Sequence, residues 1–243
     1  MSFPQFKGKH QFDAVISAKK SLDYQRQIGR VPEGPCPNRV ILCYQSSFMD
    51  RVVATRSGRW SSGVFRRLYW LDEAPGIAIG NYGIGAPRAV LSMEMLIAWG
   101  VQEFISIGTA GAIASDLKIG DLVGCDRAIR DEGTSHHYLP TARYSYPTDG
   151  GRFAKKFERV GTSWTLDAFF RHTREEIAAH QKEGVLTVEM EASALFAVGE
   201  KRGVRIGAGF VISDLLYGDE WDPQFRKDSV ENVLDQLLQL ALE

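Results

Sequence analysis

IAIGNYGIGAPRAVLSMEMLIAWGVQEFISI, residues 77–107, is the stretch whose reading decides the fold. It opens on a short apolar run, Ile77, Ala78 and Ile79, and tightens into the glycine-rich turn GNYGIG at residues 80–85. Pro87 then suits the first turn of a helix, because its ring presets φ and the missing amide had no helical partner to lose. Val90, Leu91, Met95 and Trp99 carry that helix forward, Gly100 stops it, and residues 104–107 form the next apolar run. Strand, helix, strand is a βαβ unit, and its parallel strands call for a sheet covered on both faces.

The same grammar extends outward in both directions. Upstream, the apolar residues 40–44 read as a strand buried on both faces. Downstream, Thr173 and Glu176 form the spacing of a capping box, opening a helix that Gly184 ends. Residues 185–188 read as a strand, 192–202 as a helix closed by Gly203, and 204–212 as another strand. Near the C-terminus, Val230, Val233, Leu234, Leu237, Leu238 and Ala241 follow i, i+3, i+4, i+7, i+8, i+11, the apolar face of one helix. No repeat, low-complexity tract or linker interrupts the pattern. The expected fold is α/β, a single domain over residues 39–243 with a central mixed, mostly parallel β-sheet flanked by helices. Residues 1–38 are polar, close on Pro32, Pro35 and Pro37, and read as an N-terminal arm.

Composition narrows the function. The 243 residues carry 29 Lys and Arg against 30 Asp and Glu, a net charge of −1, which leaves no protein-wide basic field for nucleic acid. At 44% hydrophobic and 24% charged residues, the chain has the composition of a globular domain. Cys36, Cys43 and Cys125 form no CxxC pair and leave one over in any disulfide scheme, which suits a reducing compartment. The start, MSFPQFKGKHQFDAV, is broken by Lys7, Lys9, His10 and Asp13 and lacks a signal-peptide core, and no apolar run spans a membrane. A cytoplasmic protein without membrane or nucleic-acid partners is expected.

Several chemistries lack their motifs: there is no GxxxxGK[ST], HExxH or GxSxG, and GNYGIG has the wrong spacing for a dinucleotide fingerprint. What remains sits at predicted strand ends. The glycines of residues 80–85 and of Gly108-Thr109-Ala110-Gly111 serve tight turns, or an anion cradle to which Thr109 adds a hydroxyl. Glu189 and Glu191 flank Met190 where a strand leads into a helix; they suit a helix dipole, or a grip on vicinal sugar hydroxyls. Ser213-Asp214 follows an apolar strand, a place for a catalytic group and equally for a helix cap. Arg51, Arg56, Arg59, Arg66 and Arg67 fall in residues 51–67 without an acid, as a solvated hairpin face or an anion site within or between subunits.

Taken in order, GNYGIGAPRAVLSMEMLIAWGVQEFISIGTAGAI, GTSWTLDAFF and VLTVEMEASALFAVGEKRGVRIGAGFVISD resemble the nucleoside phosphorylase family, the type that includes purine nucleoside and uridine phosphorylases. The resemblance covers roughly residues 40–216. It implies the phosphorylase-like α/β fold and cleavage of a nucleoside by phosphate to free base and pentose 1-phosphate, with purine preferred over uridine. It implies Glu189, Met190 and Glu191 on the ribose, Gly108 and Thr109 on phosphate, Phe169 against the base, and Asp214 as the acid that protonates the leaving base. No cofactor or metal is implied beyond phosphate as co-substrate, and a homo-oligomer, dimer or hexamer, is implied with sites at subunit contacts.

Two departures stand out. The family's arginine three residues before the phosphate-loop hydroxyl is Ser106 here, and the first phosphate loop reads CYQSSFMDR at residues 43–51, with Met49 about where its arginine belongs. Arg51 or Arg88, or Arg66 or Arg67, is expected to supply the charge. The same loss keeps two alternatives open, a nucleosidase of methylthioadenosine type using water and a non-catalytic nucleoside-binding protein. His136 and His137 lie in a stretch similar to one that lines the family's base pocket, although adjacent loop histidines are commonly surface or structural groups.

Overall fold

The computed structural model describes residues 4–6, 8–218, 221–225 and 228–243; Lys7 and residues 1–3 of the arm lie outside them. The helices are α1 (Ala18–Gln27), α2 (Ser46–Thr55), α3 (Ala86–Trp99), α4 (Arg174–Lys182), α5 (Ala192–Arg202) and α6 (Asp228–Leu242). The strands are β1 (Arg39–Cys43), β2 (Gly58–Trp60), β3 (Leu68–Leu71), β4 (Ile77–Asn81), β5 (Glu103–Ala112), β6 (Leu122–Asp131), β7 (Tyr144–Ser145), β8 (Arg159–Leu166), β9 (Thr187–Glu189), β10 (Arg205–Leu215) and β11 (Asp222–Pro223).

The expected βαβ unit is β4, α3 and β5, with Pro87 in the first turn of α3 and Gly100 as its C-cap. β1 lies between its two strands and is parallel to both. The strands run in the order β11-β10-β6-β8-β9-β5-β1-β4-β3-β2, with β7 added to β6 and a further pairing of β10 with β5. That last pairing closes β10, β6, β8, β9 and β5 into a ring, from which β1, β4, β3 and β2 extend as an open sheet. The long pairings, β5 with β10 and β6 with β8, are parallel; the antiparallel ones are short. The sheet is mixed, as expected, and helices cover both faces. On one side α3 and α5 pack Met93, Leu96, Leu195 and Phe196 onto Phe104 and Ile206. On the other, α2 and α6 pack Phe48, Val52, Leu234, Leu237 and Leu238 onto Ile41, Ile105 and Ile107. The capping box at Thr173 and the α6 face from Val230 to Ala241 form as their spacing requires.

Four local readings change. Residues 108–111 are no loop but the continuation of β5, paired residue by residue with β10. Ser213 and Asp214 lie within β10, at a register shift between Ile212 and Asp214, instead of following the strand. The polar segment after β1 begins with α2, so that Arg51 sits on a helix and only Arg59 belongs to a hairpin strand. The arm contains α1, capped by the Ser17 hydroxyl and docked on α3 through the fully buried Leu22. One apolar residue per turn is a weak periodic signal, so the polar composition hid this helix.

Leu22→Ala is therefore expected to lower the unfolding free energy by about 2–5 kcal/mol, the range for a buried leucine truncated in a core. Chemical denaturation measures it; a change below about 1 kcal/mol would show that α1 does not belong to the cooperative unit.

Candidate active site

A cavity of about 630 Å³ opens at the carboxyl ends of β1, β5, β8, β9 and β10, the position that open α/β sheets reserve for ligands. It gathers Thr109, Phe169, Glu189, Met190, Glu191 and Asp214, six of the sequence-predicted site residues, from four separate stretches of chain.

The sheet makes the opening by a gap in its ladder. β1 pairs with β5 only as far as Ser106, and β9 takes up the same strand from Gly111. Residues 107–110 are left without a strand partner on that side, and Thr109 faces the space. Its Oγ1 accepts a 2.7 Å hydrogen bond from Gln45 Nε2. Gln45 is also the N-cap of α2 but makes no side-chain cap bond, so the first amides of that helix, at Ser46 and Ser47, stand at the cavity wall. A helix N-terminus with free amides carries a partial positive charge and suits an anion.

Glu189 is wholly engaged. Ser163 and Thr165 donate their hydroxyls to Oε1, while the amides of Glu191 and Ala192 donate to Oε2 at 2.8 and 2.7 Å. It anchors the start of α5 and so aims Glu191, whose Oε1 accepts the Gly85 amide at 2.6 Å. Burial first, and the neighbouring Glu189 second, push the Glu191 carboxyl up to about 8. Burial also raises Glu189, against the four donors that favour its anion.

Asp214 accepts the Ser213 hydroxyl on Oδ1 and the Trp221 indole N–H on Oδ2, both at 2.9 Å. Burial raises its pKa, outweighing those two donors and the charge of His172. A bare Cα at Gly111 permits this packing, since a Cβ there would stand 2.2 Å from Leu216 Cδ1 and 3.1 Å from Asp214 Oδ2. Phe169 lines the same cavity, edge-on to His172 and to Trp221, the indole that donates to Asp214.

The remaining predicted residues are elsewhere. Arg51 is turned to α6, where its guanidinium holds Asp235 at 2.7 Å and Asn232 at 2.8 Å, and it does not line the cavity of its own chain. Arg88 donates Nε to the Tyr82 carbonyl and does not line the cavity. Gly108 lies behind Tyr44, whose Cδ2 would be 3.0 Å from a Cβ at that position. Ser106 hydrogen-bonds the Tyr44 hydroxyl at 2.6 Å, a neutral buried pair where the family has a cation. His136 is held by the Arg130 carbonyl and His137 by Lys9; neither reaches the cavity. Among the described lining residues there is no Lys or Arg, and His172 is the one basic side chain. Sequence reasoning marked residues 43–51 as the first phosphate loop without singling out Gln45, Ser46 or Ser47 within it, and it passed over His172 and Trp221. Of those two only His172, three residues past Phe169 and beside the capping box, carried a local hint. No group of three His, Cys, Asp or Glu among the described residues is placed to hold a metal ion, and no described helix is long and apolar enough to cross a membrane.

At the strand ends of this α/β sheet, paired acidic side chains, a buried aspartic acid and an aromatic wall enclose a cavity of small-molecule size. The chain belongs to the phosphorylase superfamily, whose family model matches residues 50–243. It is 30% identical over 178 residues to a guanosine phosphorylase of Halorubrum lacusprofundi, covering 67% of this chain and 74% of that one. It is 28% identical over 176 residues to a DeoD-type purine nucleoside phosphorylase of Clostridium novyi, covering 68% and 76%. The fold is similar to that of a uridine phosphorylase from Vibrio fischeri, with a TM-score of 0.71 at 24% identity over 87% of this chain and 93% of that one.

The Glu191 shift sets a pH dependence. A carboxyl raised from 4.5 to about 8 holds its proton in the folded state after the unfolded chain has lost it. Its contribution is fully present below the unfolded value and is lost as pH rises towards about 8. Glu191→Gln removes that loss, so the melting temperature of the variant should gain on the original chain from about pH 5 to about pH 8 and hold level above. Thermal melts across this range measure it; a pH-independent difference would contradict the shift.

Proposed function

We propose that this chain cleaves the N-glycosidic bond of a purine nucleoside and passes the pentose to phosphate, giving free base and pentose 1-phosphate. The observation that carries the reading is that Asp214 of β10 and the Glu189–Glu191 pair following β9, from strands that both pair with β5 at Gly111, line one cavity together with Phe169. Cleavage sends the electrons of the glycosidic bond to the base and leaves positive charge on the pentose. Burial raises the Asp214 pKa, the direction that suits a group handing a proton to the departing base nitrogen. The buried Glu189–Glu191 pair, whose joint ionisation burial and mutual repulsion oppose in the empty site, gains a partner when the pentose becomes cationic, so it binds the transition state better than the ground state. Phosphate fits the free amides of α2 at Ser46 and Ser47 and the Thr109 hydroxyl, a site built on a helix dipole in place of an arginine.

One observation favours a second reading, hydrolysis. The Tyr44–Ser106 pair is neutral, burial keeps the Tyr44 phenol far above its usual range, and three acidic side chains line the cavity without a described Lys or Arg. Water binds such a surface more readily than a phosphate dianion. We also read the chain as a homo-oligomer, a dimer or hexamer, because Ile84 and Phe170 line the cavity yet remain 63% and 90% exposed, apolar surface that a second copy would cover.

Incubation with inosine, guanosine, adenosine, uridine and methylthioadenosine, with and without phosphate, separates the readings by product. Phosphate-dependent release of a purine base is expected. Release without phosphate would establish hydrolysis, and release from none of the five would overturn both. Asp214→Asn is expected to slow purine release by about 10²–10⁴-fold, the usual worth of a positioned acid. Light scattering should give at least twice the chain mass, and a monomer would refute the oligomer.

A further inference from the structure

Beyond Asp214 the chain turns back over its own strand. β11 sets Pro223 opposite Asp214 and Asp222 opposite Leu215, and the Gln224 amide donates to the Ser213 carbonyl at 2.8 Å. This backbone ladder places Trp221 over the acid, where its indole N–H meets Oδ2 at 2.9 Å. The ring is fixed on both sides, edge-on to Phe169 at 6.3 Å and tilted on Phe225 at 5.9 Å, and both of those side chains line the cavity. Half of the tryptophan remains exposed, so packing alone is a poor account of its placement.

We propose that Trp221 is a positioning residue for the proposed reaction, holding the Asp214 carboxyl in the orientation that faces the base and stabilising the carboxylate left after proton transfer. The inference rests on the reading of Asp214 as the proton donor. An indole N–H donates only, so it fixes Oδ2 without competing for the proton that the base must receive. With the Ser213 hydroxyl on Oδ1, each carboxyl oxygen has one donor, and rotation of the side chain would break both bonds. In the step itself the C–N glycosidic bond breaks with its electron pair going to the base. The Asp214 O–H bond breaks as the base N–H bond forms, and Asp214 is left as a carboxylate. A hydrogen bond from Trp221 to that anion is stronger than one to the neutral acid, so the contact tightens as the proton leaves. The other titratable groups around Asp214 are His172 from the segment between β8 and α4, and Glu189 and Glu191 in the same cavity; β5 contributes none, and Asp222 of β11 is exposed.

Trp221→Phe keeps a ring and removes the donor. With inosine its kcat is expected to fall by about ten-fold, the effect of one hydrogen bond to a charged group. With 7-methylinosine, whose base already carries positive charge and departs without a proton, kcat should be unchanged. The Asp214 carboxyl, followed by ¹³C NMR, should titrate at higher pH in the variant, because a donor that favours the anion has gone. In an Asp214→Asn background the same substitution should cost nothing further with inosine. Equal slowing of both nucleosides, or an unmoved Asp214 titration, would reduce Trp221 to a wall of the pocket and overturn the proposal. Full inosine turnover by Asp214→Asn would instead overturn the donor reading, while the titration would still report whether Trp221 holds the carboxyl.

Discussion

Glu189 is a buried carboxylate that takes four hydrogen bonds, and the cavity depends on it. Its donors come from Ser163 and Thr165 of β8 and from the amides at the start of α5, so a single side chain ties two strands and a helix at one point. A buried charge is tolerated only with such partners, and a helix N-terminus is a favourable place for one. The consequence is local and directional. With the first amides of α5 secured, Glu191 projects into the cavity and reaches across to Gly85 at the end of the β4–α3 turn. The glycine-rich turn that opens the βαβ unit and the acidic pair that follows β9 are thereby parts of one wall.

The ring of strands supplies the rest. Closing β10 onto β5 brings Asp214 level with Gly111, and the change of partner from β1 to β9 leaves the middle of the β5 edge open beside Thr109. A sheet that paired without interruption would have no room for a ligand there. The same interruption lets the start of α2 stand at the cavity, where free amides offer the positive potential that an arginine supplies elsewhere in the family. The charge economy is unusual: the acid-rich cavity faces a helix dipole, while Arg51, the nearest arginine in sequence, is spent on α6.

Legibility varied with the range of the interaction. Pro87 and Gly100 mark the ends of α3, Thr173 and Glu176 build their capping box, and the apolar face of α6 is buried as spaced, because each depends on residues within a few positions. Residues 108–111 misled, because glycines suit loops in isolation; here they remain in a strand, where Tyr44 leaves little room for a Cβ at Gly108 and Leu216, Asp214 and Val188 leave none at Gly111. Arg51 misled for another reason. Its charge marked it for an anion, but its partners Asp235 and Asn232 lie on the last helix, and nothing near residue 51 announces them.

The sequence by itself determined the α/β class, the βαβ unit and the family, and it named the acids and the aromatic that meet in the cavity. These rest on local spacing and on motifs whose residue types the chemistry restricts. The tertiary structure alone decided which cations stay away from the site, that Tyr44 and Ser106 replace one of them, and that Trp221 caps Asp214. Those outcomes are hydrogen bonds and ion pairs between stretches brought together by strand order, and strand order is set by the competition of whole elements for a common core.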